Sequence, residues 1–133
     1  MSLQEDLDAT MEKVADYLHN VCGVQDFTVN KNGSINVHGN VIMFNSQETE
    51  LALKLSRVTG NFICCYSKLK SMKNFPEHVL GRLDISFTNI CSLNDLPDTP
   101  KMQVHGDFVC TKCGFNEKDI RSAAKVNGKV YCE

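Results

Sequence analysis

Along residues 37–133 an apolar side chain stands two and four places after each of five glycines, with more polar positions between. The phrases are Gly39-NVIMFNS, Gly60-NFICCYSKL, Gly81-RLDISFTNI, Gly106-DFVCTKCGF and Gly128-KVYCE, at intervals of 21, 21, 25 and 22 residues. Alternation of this kind predicts short strands, near 40–44, 61–65, 82–86, 107–111 and 129–132. Recurrence at a fixed interval predicts that these strands stack in parallel as a solenoid. Upstream the periodicity changes. Leu3, Leu7, Met11, Val14, Leu18 and Val21 recur three or four apart and predict one amphipathic helix over 2–22, with Glu5, Asp6 and Asp8 in its favourable first turns. Phe27 and Val29, then Ile35 and Val37, alternate around Asn30-Lys-Asn32-Gly33 and predict a hairpin.

The expected architecture is therefore an α+β repeat in one domain. Residues 1–36 form a helix and hairpin that cap the open end of the core, and residues 37–133 form the solenoid around a parallel sheet. The two fullest copies agree far beyond the glycine: Phe62, Cys64, Leu69, Met72 and Phe75 correspond to Leu83, Ile85, Ile90, Leu93 and Leu96, and each copy then reaches a proline, Pro76 or Pro97. Ser46, Ser67, Thr88 and Cys113, seven places after their glycines, are expected to turn in and satisfy backbone groups at the bend. Residues 96–103 read as a loop insertion, and 116–125 as a short helix capped by Asn116.

The phrases VTGNFICCYSKLKSMKNFP, VLGRLDISFTNICSLNDLP and VHGDFVCTKCGF resemble the degenerate leucine-rich-repeat-like proteins of large tailed bacteriophages. The likeness covers about residues 37–133. It implies a short leucine-rich-repeat-like solenoid, no catalytic residues and a viral origin. The pattern is broken in the first copy, at Glu48 and Lys54, and the last copy stops at Glu133, straight after its strand.

Composition narrows the function. The chain has 133 residues, 42% of them hydrophobic, and 14 Lys and Arg against 16 Asp and Glu. The net charge of −2 is scattered without a basic stripe, which argues against nucleic acid as the main partner. No apolar run reaches the roughly 20 residues of a membrane span, and the N-terminal acids do not suit a secretory signal. A cytoplasmic location, that of the host cell for a viral protein, is the expectation. Seven cysteines, an odd number with Cys64 and Cys65 adjacent, read as reduced thiols.

Cys110-Thr-Lys-Cys113 is a C-x-x-C, and with Cys132 and either His105 or Cys91 it would complete a tetrahedral zinc site, the reading of a small zinc-binding regulator. Cys64, Cys110 and Cys132 also occupy the inward position that Met43 and Ile85 fill elsewhere, which makes them small core residues. Disulfide exchange would need a thiolate at a helix N-terminus, whereas Cys110 falls within a strand. His19, His38, His78 and His105 match no catalytic spacing, so the chain is expected to be no enzyme and to need no cofactor.

The outward positions are more apolar than a wet strand face requires. Ile42, Phe44, Ile63, Val109 and Tyr131 point out, Tyr66 and Phe87 lie just beyond strand ends, and Asp84 sits among them. These eight form the candidate partner-binding face, unless the helix or a loop folds over part of it. The expected function is a non-catalytic protein–protein interaction module, a phage accessory protein that binds or inhibits a host factor such as a defence system. The strand at Val130-Tyr131-Cys132 offers an edge for self-association.

Overall fold

The computed structural model describes residues 3–43, 46–97 and 100–132, and in residues 3–10 the backbone alone. Helix α1 (Leu3–Asn20) leads into the antiparallel hairpin β1 (Phe27–Val29) and β2 (Ile35–Val37), with Val29 opposite Ile35. The chain then winds through parallel rungs, each with a strand on either side of its glycine. Those before the glycines are β2, β4 (Leu55–Val58), β6 (His78–Val79), β8 (Met102–Val104) and β10 (Ala124–Val126). Those after are β3 (Val41–Ile42), β5 (Phe62–Ile63), β7 (Leu83–Asp84), β9 (Phe108–Val109) and β11 (Val130–Tyr131). Helix α2 (Glu117–Ala123) precedes β10.

Two parallel sheets result, where the repeat phrase predicts one. The first runs β1-β2-β4-β6-β8-β10, its only antiparallel pair being the hairpin, and the second runs β11-β9-β7-β5-β3. Beyond the hairpin, the strands before the glycines carry one or two inward apolar residues each, such as Val58, Val79 and Val104, too few to announce a strand alone. They form because each rung finds a backbone ladder already offered by the rung below.

The glycines form a column at the corner between the sheets. Gly60, Gly81, Gly106 and Gly128 each donate their N–H to the carbonyl of the preceding glycine, at 2.8, 2.9, 3.0 and 3.1 Å. A Cβ on any of these four would lie 2.5–2.7 Å from that same carbonyl oxygen. Close approach, and not a left-handed backbone, therefore demands glycine there. Beside the column runs a side-chain ladder: Asn40 Oδ1 accepts from Asn61 N–H, Asn61 Oδ1 from Arg82 N–H, and Asp107 Oδ1 from Lys129 N–H.

Register puts Val41, Phe62, Leu83, Phe108 and Val130 side by side, and all but the half-buried Val130 are fully enclosed. Phe62 stacks on Phe75, centroids 4.9 Å apart. The bend residues act as expected, for Ser67 Oγ donates to Cys64 O and Thr88 Oγ1 to Ile85 O, both at 2.8 Å. In the first copy Leu51 restores the core, and Lys54 reaches out to give its Nζ proton to Phe75 O at 2.7 Å.

In α1 the inward stripe is narrower than its spacing suggests. Leu18 is enclosed, Val14, Tyr17 and Val21 are partly so, and Met11 is 44% exposed. The side chains of Leu3 and Leu7 lie outside the described residues. Below the helix, Cys22 O accepts from Ile42 N–H at 2.9 Å and ties this segment to β3. Asn116 caps α2 with a reciprocal pair, its Oδ1 accepting from Asp119 N–H and its own N–H donating to Asp119 Oδ2. No helix among the described residues is long and apolar enough to cross a membrane.

Candidate functional site: the outer face of the second sheet

The second sheet lays one outward residue per rung in a single row. Ile42 pairs in register with Ile63, Ile63 with Asp84, Asp84 with Val109 and Val109 with Tyr131. Five of the eight candidate binding residues are thus neighbours at the strand spacing of about 4.8 Å. Ile42 and Tyr131 are well exposed, while Ile63 and Asp84 are half-buried. Val109 departs from the expectation: it keeps only 8% of its surface, a short branched side chain standing between Asp84 and the larger Tyr131. Cys65 also faces out by its spacing yet is buried. Phe44 lies outside the described residues.

Within the row, Asp84 is the acidic interruption, and it is engaged on both oxygens. Its Oδ1 accepts from Ser86 N–H at 2.9 Å and its Oδ2 lies 3.6 Å from Arg82 Nη2. Ser86 Oγ in turn accepts from Thr111 N–H at 3.0 Å. The polar part of the face is consequently stitched to the backbone and supports the apolar part.

Three residues past the strands, the turn places Tyr66, Phe87 and Lys112 at one repeat position, six after the glycine. All three have left-handed backbones, with φ of 59°, 58° and 64°. Tyr66 N–H and Phe87 N–H donate to Ser86 O and Thr111 O, so the rung ladder holds this conformation. The rings of Tyr66 and Phe87 then stack face to face, centroids 4.6 Å apart and 4° from parallel, and they remain 58% and 42% exposed. Their adjacency was readable from the repeat offset. Their stacking was not, because it requires the turn to be left-handed.

The cysteines divide. Cys64 and Cys110 are fully enclosed at the inward position, and Cys132 there is half-buried. Cys110 Sγ lies 3.1 Å from Cys132 Sγ. Cys113 instead donates to Ile85 O at 3.1 Å, and His105 is exposed with Nδ1 3.4 Å from Asn127 Nδ2. Among the described residues no three or more His, Cys, Asp or Glu side chains group so as to hold a metal. A cleft of about 580 Å³ between the turn at Cys91–Leu96 and α2 escaped sequence reasoning; its Asp119 carboxylate is committed to capping α2.

Burial pushes the thiols of Cys64, Cys110 and Cys113 up, and lifts Cys22 to about 12 from 9.0. For an acid raised on folding, the stabilisation is complete below the unfolded value and is lost as pH climbs towards the folded one. Between pH 9 and 12 the unfolding free energy should thus fall by about 1.4 kcal/mol per pH unit on account of Cys22. Urea titrations under reductant at pH 8 and pH 10 measure it, and Cys22→Ala should shallow the decline. An equal slope in wild type and variant would remove Cys22 from the account.

Comparison with known proteins found no match among protein-family models, curated proteins or solved structures.

Proposed function

We propose that this protein is a non-catalytic protein-recognition module that contacts its partner through Ile42, Ile63, Tyr131 and the Tyr66–Phe87 pair. The observation that carries the reading is the exposed ring stack on left-handed backbone. A non-glycine residue in that conformation costs on the order of 1 kcal/mol or more, and glycine or asparagine would relieve it. Two large aromatics sit there instead, recover only part of their surface by stacking, and leave the remainder to water. Rigid aromatic anchors beside aliphatic residues, rimmed by satisfied polar groups, are the usual make-up of a contact centre.

The repeat phrase supports the finer reading of this solenoid as leucine-rich-repeat-like, with α1 and the hairpin as its N-terminal cap. The bacteriophage resemblance supports an accessory viral role in which the partner is a host protein, one class being defence factors. The test uses Tyr66→Asn with Phe87→Asn. Stability should stay within about 1–2 kcal/mol of wild type, since relief of the left-handed turn offsets a lost stack of similar size. Capture of host proteins on the immobilised chain should drop tenfold or more for whichever protein the wild type retains. Equal retention by wild type and variant, or no specific retention by the wild type, would refute the proposal.

A further inference from the structure

Cys110 and Cys132 share one inward register position on neighbouring rungs. The pairings Val130 with Phe108 and Tyr131 with Val109 bring Cys132 opposite Cys110 as the next pair. Parallel strands lie about 4.8 Å apart, within the Cα separation of roughly 4.4–6.8 Å that disulfides adopt. The thiols already approach to 3.1 Å. No other pair of cysteines among the described residues stands in register in this way: Cys64 has Ile85 and Met43 as its neighbours, and Cys65 has Ser86.

Access is unequal. Cys110 is enclosed, whereas Cys132 is half-buried and lines a cleft of about 500 Å³ together with Thr111, Phe115, Asn116 and Tyr131. A small reagent reaches one sulfur and not the other. The neighbouring C-x-x-C partner is diverted, because the Cys113 thiol is spent on Ile85 O.

We propose that Cys110 and Cys132 are a thiol–disulfide pair, closed by a low-molecular-weight disulfide such as oxidised glutathione, that locks β11 onto β9. In the first step the Cys132 thiol gives up its proton and its sulfur attacks the small disulfide. One S–S bond breaks, one forms, and one thiolate leaves and takes the proton. In the second, Cys110 loses its proton and its sulfur attacks Cys132 Sγ, expelling the second thiolate, which is protonated. The two protein thiols are oxidised, and one small disulfide is reduced to two thiols.

The consequence falls on a weakly held rung. Strand β11 has only two ladder residues, paired to β9, and Val130 is half-buried. A covalent tie between cysteines 22 positions apart removes much of the freedom with which that rung frays. This inference does not depend on the binding face.

The experiment treats the full chain with oxidised glutathione, alkylates remaining thiols and digests with trypsin without reduction. Cleavage at Lys112 and Lys129 places Cys110, Cys113 and Cys132 on three separate peptides. The expected product is peptide 102–112 joined to 130–133, in wild type and Cys91→Ser and absent in Cys132→Ser. Amide exchange of residues 129–132 should slow about tenfold or more on closure. A glutathione adduct persisting on Cys132, a link from Cys110 to Cys113, a cross-link between molecules, or unchanged exchange would each overturn the proposal.

Discussion

Phe62→Ala is expected to cost about 3–5 kcal/mol and Ile63→Lys about 1 kcal/mol or less, although the two residues are adjacent. Phe62 is fully enclosed, stacks on Phe75, and stands between Val41 and Leu83 in the central row of the core. Truncation leaves a cavity that three rungs line, and strands pinned by their ladders cannot collapse into it. Ile63 points the other way and a lysine there can lift its ammonium into water while its stem covers the neighbouring row. Urea denaturation of the two variants reads both values. Comparable losses would mean that the strand's two faces had been assigned wrongly, and with them the proposed binding face.

Gly81→Ala is the other large effect, about 2–4 kcal/mol, from adding one methyl group. The new carbon would lie 2.7 Å from Gly60 O and 2.9 Å from Gly60 C, both backbone atoms, with the Asn61 carboxamide oxygen closer still. Relief requires rungs to separate, which lengthens the 2.9 Å bond from Gly81 N–H to Gly60 O and disturbs Asn61 Oδ1 on Arg82 N–H. The clash is internal to the column, so it should appear at Gly60 and Gly106 as well. Gly33 offers the contrast: its added Cβ meets nothing within 4 Å, and only its φ of +87° opposes alanine there, at about 1 kcal/mol. Thermal melts of Gly81→Ala and Gly33→Ala separate the mechanisms. Equal destabilisation would deny the column its role.

What could be read from residues alone follows from which signals are local. A hairpin turn at Asn30–Gly33, a cap at Asn116 and alternation after each glycine are expressed within a few positions, and each appears in the structure where the spacing places it. Hydroxyl groups at the bends were equally legible, since Ser67 and Thr88 satisfy carbonyls three residues back. The recurrence of glycine marked the fold before its reason was visible.

Other features arise only when residues some 20 apart are brought to strand spacing. Beyond the hairpin, the first sheet assembles from strands too short to announce themselves, because each hydrogen-bonds to the rung beneath. Burial of Val109, the pairing of Tyr66 with Phe87, and the approach of Cys110 to Cys132 are likewise products of register. By itself the sequence determined the repeat, the inward set and the residue types on the outer face. Only the tertiary structure decided which of those outer residues water reaches and which thiols meet, for exposure and contact depend on the rungs on either side.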